Sequence, residues 1–351
     1  MEQTGSHRST VDSAAILTSL LEGRDLPQEQ AVALMEAIMA GQVPPFRLAG
    51  ILATLRAKGE TVAEIAGFAR AMRNGALRIS PGKSGLLDTC GTGGDGSGTF
   101  NISTATALVA ASMGIPVAKH GNRAVSSRCG SADVLEALGV NLDLEPGRVA
   151  ALIDEIGIGF LFAPGLHPAM KHAMPVRREL GVRTVFNVLG PLTNPAGADR
   201  QLLGVFDPTL CEPLCRVLRE LGSQRAFVVH GEGGLDEVSL LGATTVAALE
   251  DGKVRTFEFL PAQAGLRTCG PDDLSGGDPA ANAAIIKDIF GGKSGPKTDA
   301  VLLNAGFAAV LGGLADNVRT GVDLARDAIA SGRTADLLAA FAAASQQGVA
   351  S

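Results

Sequence analysis

The sequence predicts an α/β protein in two parts: a small all-helical domain, then a larger domain around a central, mostly parallel sheet. Three observations carry this. From Ser13 to about Asn74, apolar residues recur at spacings of three and four with almost no strand signal. After Pro81-Gly82, short apolar runs alternate with helical patterns, the order of parallel βαβ units. Glycine makes up 45 of 351 residues, about 13% against a usual ~7%. The glycines follow no G-X-Y period, so the excess serves tight turns and close backbone approaches.

Residues 1–10 read as a disordered tail. The helical block rests on Ile16-Leu17-Leu20-Leu21, on Val32-Leu34-Met35-Ile38-Met39, and on Ile65, Phe68 and Met72. Pro44-Pro45 marks a helix start, where a missing N–H costs nothing. Strands are expected at Leu86-Leu87, Ile115–Ala118, Phe160–Phe162, Leu202–Phe206 and Ala226–Val229. Helices are expected at 102–112, 132–139, 148–156, 210–221, 281–290, 298–312 and 319–330. Asp251-Gly252 between two apolar runs signals a hairpin.

Composition excludes several classes of function. An apolar share of 46% belongs to a chain with a packed core. Thirty Lys and Arg against 36 Asp and Glu give a net charge of −6 with no long basic run, which argues against binding nucleic acid by bulk charge. Trp and Tyr are absent, so stacking falls to Phe, His or Arg. No run of about 18 apolar residues suggests a membrane span, and the N-terminus lacks the apolar stretch of a signal peptide. Cys90, Cys129, Cys211, Cys215 and Cys269 form no CxxC pair, so no disulfide framework or zinc ribbon is expected, and the cytoplasm is the expected compartment.

Chemistry concentrates in loops at strand ends. Asp88-Thr-Cys-Gly-Thr-Gly-Gly-Asp-Gly-Ser-Gly-Thr99 follows a strand and leads into a helix at Asn101-Ile102-Ser103-Thr104. Backbone without Cβ atoms approaches a ligand closely, successive N–H groups cradle an anion, and the helix start adds its dipole. The plain alternative is a glycine-rich turn with an N-cap. Gly91, Gly93 and Gly96 also match G-x-G-x-x-G, but a dinucleotide site wants an acidic residue after the second strand, which here ends in Lys119-His120. No Gly-Lys-Ser/Thr follows, so a Walker A loop fails.

Lys119 to Ser127, with Gly130-Ser131 opening the next helix, brings cations, hydroxyls and glycine to a neighbouring strand end. The plain alternative, a solvated basic loop capping a helix, is the weaker reading; beside the first loop the segment suggests a ligand with more than one phosphate. A third loop, from Val228 to Glu237, ends in Asp236-Glu237, hard oxygen donors of the kind Mg²⁺ takes beside phosphate and water. An exposed acidic loop is the competing reading. In the cationic helical segment 167–180, His167 and His172 are five apart and face different ways, against a zinc pair. Arg177 or Arg178 there could clamp a carboxylate.

DTCGTGGDGSGTFNIST (88–104), KHGNRAVSSRCGSADVLEALG (119–139), HPAMKHAMPVRRELGVRTVFNVLGPLTNPAG (167–197) and VVHGEGGLDE (228–237) together closely resemble the anthranilate phosphoribosyltransferase family of tryptophan biosynthesis. The resemblance spans roughly residues 13–345 in the family's order and spacing. It implies a nucleoside-phosphorylase-like phosphoribosyltransferase fold. A small helical domain (11–77 plus about 164–185) would be hinged to a large α/β domain (78–163 and 186–351), with homodimers formed through the helical domains. It implies a Mg²⁺-dependent reaction, the second step from chorismate to tryptophan. The 5-phosphoribosyl group of phosphoribosyl pyrophosphate (PRPP) passes to the amine of anthranilate, releasing pyrophosphate.

Residue roles follow from the same resemblance. PRPP would be held by Gly91, Gly94, Asp95, Thr99, Asn101, Ile102, Ser103 and Thr104, and by Lys119, His120, Gly121, Asn122, Arg123, Ala124, Val125, Ser126, Ser127 and Ser131. Ser103, Asp236 and Glu237 would hold Mg²⁺, as two ions, directly or through water. Gly91, Asn122 and Arg177 would meet anthranilate, with Arg177 facing its carboxylate. The departing pyrophosphate builds negative charge that Mg²⁺ and the Lys119/Arg123 loop can stabilise. Anthranilate's amine is neutral and nucleophilic near neutral pH, so orientation carries the rate and no side chain is required as acid or base. His120 stands as the candidate base. Two alternatives remain: a pyrimidine nucleoside phosphorylase, against which Asp236-Glu237 and Arg177 argue, and a nucleic-acid-binding relative, which the charge of −6 opposes.

Overall fold

The computed structural model describes residues 11–124 and 127–347. The tail 1–10, and Val125 and Ser126 of the expected PRPP set, lie outside them. The chain divides into two units. One runs to Ala76 and resumes at His167–Leu189; the other comprises Leu77–Leu166 and the chain from Gly190.

The first unit begins with α1 (Ser13–Leu21), α2 (Gln28–Met39), α3 (Pro45–Lys58) and α4 (Val62–Asn74). Each start has a local cause. The Asp12 carboxylate accepts the Ala14 and Ala15 N–H groups at 3.0 and 3.1 Å. Pro45 opens α3 at no hydrogen-bonding cost. Thr61 and Glu64 form a capping box at α4. Glu64 is buried, accepts the Leu26 N–H at 2.9 Å and pairs with Lys58 at 3.0 Å. α2 and α4 approach so closely that a Cβ on Gly67 would lie 2.5 Å from the Gln28 carbonyl oxygen.

The second unit continues with β1 (Leu87–Gly91), α5 (Ile102–Ser112), β2 (Val117–Gly121), α6 (Ser131–Ala137), α7 (Pro146–Ile156), β3 (Ile158–Phe162) and α8 (Ala163–Leu166). The chain then re-enters the helical unit. The single cationic helix expected over 167–180 is instead a 3₁₀ turn, Pro168–His172, followed by α9 (Met174–Leu180), because Pro168 and Pro175 each restart a helix. There follow α10 (Phe186–Leu192), β4 (Arg200–Gly204), α11 (Cys211–Glu220), β5 (Arg225–Gly231), β6 (Thr244–Glu250) and β7 (Lys253–Phe259). The chain closes with α12 (Pro279–Phe290), α13 (Pro296–Gly312), α14 (Val318–Ala330) and α15 (Arg333–Ser345). Helices α10 and α15 escape the sequence reading: Pro191 interrupts the first, and the second is so rich in alanine that its apolar stripe is faint.

The strands form one sheet in the order β3-β2-β1-β4-β5-β6-β7. The first five are parallel; β6 and β7 pair antiparallel through Asp251 (φ 49°) and Gly252 (φ 72°). The parallel strands are covered on both faces and read as short apolar runs. Asp88, Thr89, Lys119, His120 and Gln201 are the polar side chains buried within them. α13 packs across β1, β4 and β5, where Phe307 meets Phe227 and Phe259 edge-to-face at 5.2 and 4.9 Å. The chain runs outward from β1 through β2 to β3, then returns to β4 on the other side of β1. The C-terminal ends of β1 and β4 are thus the topological switch point, where open α/β sheets bind ligands.

Candidate active site

Three loops meet at that switch point. Gly93 donates its N–H to the Asp236 Oδ2 at 2.7 Å, and Ser103, in the first turn of α5, donates its N–H to the Glu237 Oε1 at 2.9 Å. Asn101 donates through Nδ2 to the Cys129 carbonyl at 3.2 Å, tying the first loop to the second.

The first loop is held open by glycine. Gly93, Gly94, Gly96 and Gly98 all lie at φ between +67° and +71°, and a Cβ at each would meet open space. Their requirement is conformational, and it leaves backbone N–H groups at the surface of the loop. Gly91 differs: a Cβ there would lie 2.2 Å from Asp236 Oδ2. Asp95 caps its own turn by accepting the Ser97 N–H at 3.2 Å. Ile102 and Thr104 are buried, so only their backbone can face a ligand.

The carboxylate loop is seated by glycines at two further strand ends. A Cβ on Gly204 would fall 1.6 Å from the Asp236 carbonyl oxygen, and one on Gly231 2.6 Å from that of Glu237. Gly204 also accepts the Thr92 N–H at 2.9 Å, so it touches both loops. Gly204 left only one trace in the sequence, a glycine inside the apolar run Leu202–Phe206. Asp236 and Glu237 are half-buried. Desolvation, then the charge of Asp95, pushes Asp236 up to about 7. Desolvation, then Asp236, pushes Glu237 up to about 8. Among the described residues no three His, Cys, Asp or Glu side chains form a ready-made metal cluster. The pair supplies two adjacent carboxylates at the switch point.

In the second loop the expected cations are already engaged. Lys119 is buried and donates to the Thr89 carbonyl, and its ammonium is held below its ordinary pKa by burial against the pull of Asp88. Asp88, fully buried, accepts the His120 N–H at 3.1 Å and the Asn194 Nδ2 at 2.8 Å. Asn194, a second residue the sequence reading passed over, also donates to the Ala118 carbonyl. The Arg123 Nη2 pairs with Glu136 at 2.8 Å, and its guanidinium also reaches Asp133. Asp133 in turn accepts the Ala124 and Gly130 N–H groups at 2.9 and 2.8 Å. Ser131 Oγ donates to the Asn122 carbonyl at 3.2 Å, and a Cβ on Gly121 would strike it. Asn122 and Ser127 are exposed, and His120 Nδ1 lies 3.2 Å from the Gly190 carbonyl.

Arg177 belongs to the helical unit. It is half-buried, lies over the Phe186 ring at 5.0 Å, and burial lowers its pKa. No carboxylate among the described residues pairs with it.

A glycine-rich loop, a helix start and paired carboxylates meet at one switch point, on a chain that also carries a helical bundle, and this combination belongs to a glycosyl transferase family. Family models agree. Residues 14–76 match the helical bundle domain of a glycosyl transferase family and residues 83–335 its a/b domain. The chain is 51% identical over 332 residues to the anthranilate phosphoribosyltransferase of Desulfatibacillum aliphaticivorans, covering 95% of this chain and 98% of that one. It is 52% identical to that of Symbiobacterium thermophilum, covering 92% and 95%. The crystal structure of the Thermus thermophilus enzyme superposes with a TM-score of 0.90 at 48% identity, covering 94% and 99%. The Saccharomyces cerevisiae enzyme in complex with PRPP and Mg superposes at 0.87 with 29% identity, covering 96% and 98%. The chain belongs to the anthranilate phosphoribosyltransferase family.

Proposed function

We propose that this chain transfers the 5-phosphoribosyl group of PRPP to the amine of anthranilate, with release of pyrophosphate and in the presence of Mg²⁺. The observation that carries the reading is the joining of the two loops: Gly93 N–H to Asp236 and Ser103 N–H to Glu237 set the glycine-rich backbone and the α5 start directly beside a carboxylate pair. The relatives support the substrates. One yeast structure is a complex with PRPP and Mg, another a complex with 4-fluoroanthranilate.

The residues fit Mg²⁺. Asp236, Glu237 and the Ser103 hydroxyl offer only hard oxygen donors, and the two carboxylates resist ionising side by side until a cation neutralises them. We assign two ions to them on the family resemblance. When bound, the metal neutralises charge on the departing pyrophosphate. The protein's own residues do the rest. The N–H groups of the first loop and the α5 start bind phosphate oxygens. Lys119, buried under the site, adds fixed positive charge. Ser131, Asn122 and the loop from His120 to Ser127 bind the rest of PRPP. Arg123 must leave Glu136 to reach a phosphate. Arg177, a half-buried cation without a carboxylate partner, takes the anthranilate carboxylate, with Gly91 and Asn122 at the same substrate. The amine attacks as the neutral base, so His120 is dispensable for proton transfer.

The domain division we assign follows the family: 11–77 with about 164–185, and 78–163 with 186–351. We also propose a homodimer through the helical unit and a cytosolic enzyme. In support, Phe46 and Leu21 of that unit are exposed, and no helix among the described residues is long and apolar enough to cross a membrane. The deciding experiment follows anthranilate fluorescence. Loss that needs both PRPP and Mg²⁺ is expected. No loss, or phosphate-dependent release of a base from a nucleoside, overturns the reading.

A further inference from the structure

α13 is deeply buried through its middle: Ala300–Ala309 are all buried, and every one is apolar or glycine except Asn304. An amide in such a place is costly unless each of its polar atoms is matched. Here the match is to one residue. Asn304 Oδ1 accepts the Val238 N–H at 3.0 Å, and Asn304 Nδ2 donates to the Val238 carbonyl at 2.9 Å. The same Nδ2 also donates to the Ala300 carbonyl at 2.9 Å, fixing the amide on its own helix. Both backbone polar groups of Val238 are therefore held by one side chain, as a neighbouring strand would hold them.

Val238 directly follows Glu237. From the sheet side the same segment is hemmed in by Gly204 and Gly231, where a Cβ would strike the carbonyl oxygens of Asp236 and Glu237. The segment is thus hydrogen-bonded from the α13 side and closely approached from the sheet side. We propose that Asn304 is a positioning residue: its amide clamps Val238 and so aims the Asp236-Glu237 pair at the metal-bearing diphosphate. Residues that hold ligands in place typically change metal affinity by 10–100-fold when removed. The inference rests on the assignment of Asp236 and Glu237 to Mg²⁺ and adds the device that orients them.

The test uses the full-length enzyme and four variants: Asn304→Leu, Asn304→Asp, Asp236→Asn/Glu237→Gln and Gly321→Ala. Leucine keeps the branching of the Asn304 side chain without its hydrogen bonds; aspartate keeps the size and the acceptor for Val238 and serves if the leucine variant does not fold. Gly321→Ala is a packing control on the adjoining helix α14: its Cβ would lie 2.5 Å from the Gly306 carbonyl oxygen of α13, and it touches no hydrogen bond to Val238. Two quantities are read besides melting temperature: the Mg²⁺ concentration for half-maximal turnover, and the dissociation constant of Mn²⁺–PRPP measured by water-proton relaxation without anthranilate. Asn304→Leu should raise both about tenfold, and Asn304→Asp at least threefold. The anthranilate KM should stay within twofold, and Gly321→Ala should lower the melting temperature with both metal readouts unmoved. If the carboxylate variant loses Mn²⁺–PRPP while both Asn304 variants bind it like the wild type, Asn304 merely packs the core and the proposal is overturned. If the carboxylate variant itself binds normally, the metal assignment fails and the clamp falls with it.

Discussion

Arg177 shows how much one side chain can be asked to do. Its half-buried guanidinium rests on an aromatic ring with no carboxylate among the described residues to neutralise it, and on that ground we propose it as the contact for the substrate carboxylate. Arg177→Ala should raise the anthranilate KM by the equivalent of ~1.5–3 kcal/mol, the range for a hydrogen bond to a charged group, with the PRPP KM little changed. Arg177→Lys should recover only part of this, because an ammonium cannot grip a carboxylate in two places. An unchanged anthranilate KM in the alanine variant removes Arg177 from the site. The carboxylates make a second prediction. Asp236 and Glu237 are pushed up to about 7 and about 8, so the native protein keeps protons that the unfolded chain releases near 4. Their contribution to stability is full below about pH 4 and is lost progressively over the interval from there up to the folded values of about 7 and 8. In EDTA the melting temperature should decline over that interval more steeply in the wild type than in Asp236→Asn/Glu237→Gln. Parallel curves would show that the pair is not strained in the metal-free enzyme.

At the scale of elements, the glycine-rich segment between β1 and α5 is a backbone device. Gly93 lies at φ +68° with open space around its missing Cβ, so a side chain there is opposed by backbone strain alone, ~1–2 kcal/mol for an L residue and more when β-branched. Gly93→Val should therefore leave the melting temperature within a few degrees of wild type and weaken PRPP binding at least tenfold by calorimetry. Normal PRPP affinity would contradict the cradle. The conformation of this loop was legible in the sequence because it is written in closely spaced glycines. So were the βα alternation and the Asp251-Gly252 hairpin. Gly204, Asn194 and Asn304 were not, and the reason is physical. Each acts on a segment far away in the chain, as Asn304 does on Val238, 66 residues off, and such contacts leave no local period to read. The only trace of Asn304 was one amide in an apolar helix. Lys119 and Arg123 were legible as cations but not as engaged ones. Their partners, the Thr89 carbonyl and Glu136, are decided by packing.

For the whole molecule, the proposed homodimer turns on the helical unit. Phe46, in the first turn of α3, is 95% exposed, and Leu21, the last residue of α1, is 69% exposed. α1 and α3 pack against one another, so the two side chains stand on adjoining helices. Single exposed apolar residues are ordinary, but large ones on adjoining elements mark interaction surfaces. A glutamate at the centre of such a contact would face its own copy across a two-fold axis, and the paired buried charge would be desolvated twice. Phe46→Glu should therefore shift the wild type from twice the monomer mass to the monomer mass in sedimentation equilibrium. It removes no buried contact within one chain, so far-UV circular dichroism should be unchanged. Because the chain has neither Trp nor Tyr, anthranilate fluorescence can be followed against almost no protein background, and activity can be measured on the monomer directly. Wild-type protein that sediments as a monomer would refute the dimer. A Phe46→Glu protein that stays dimeric would place the interface on another face of the molecule.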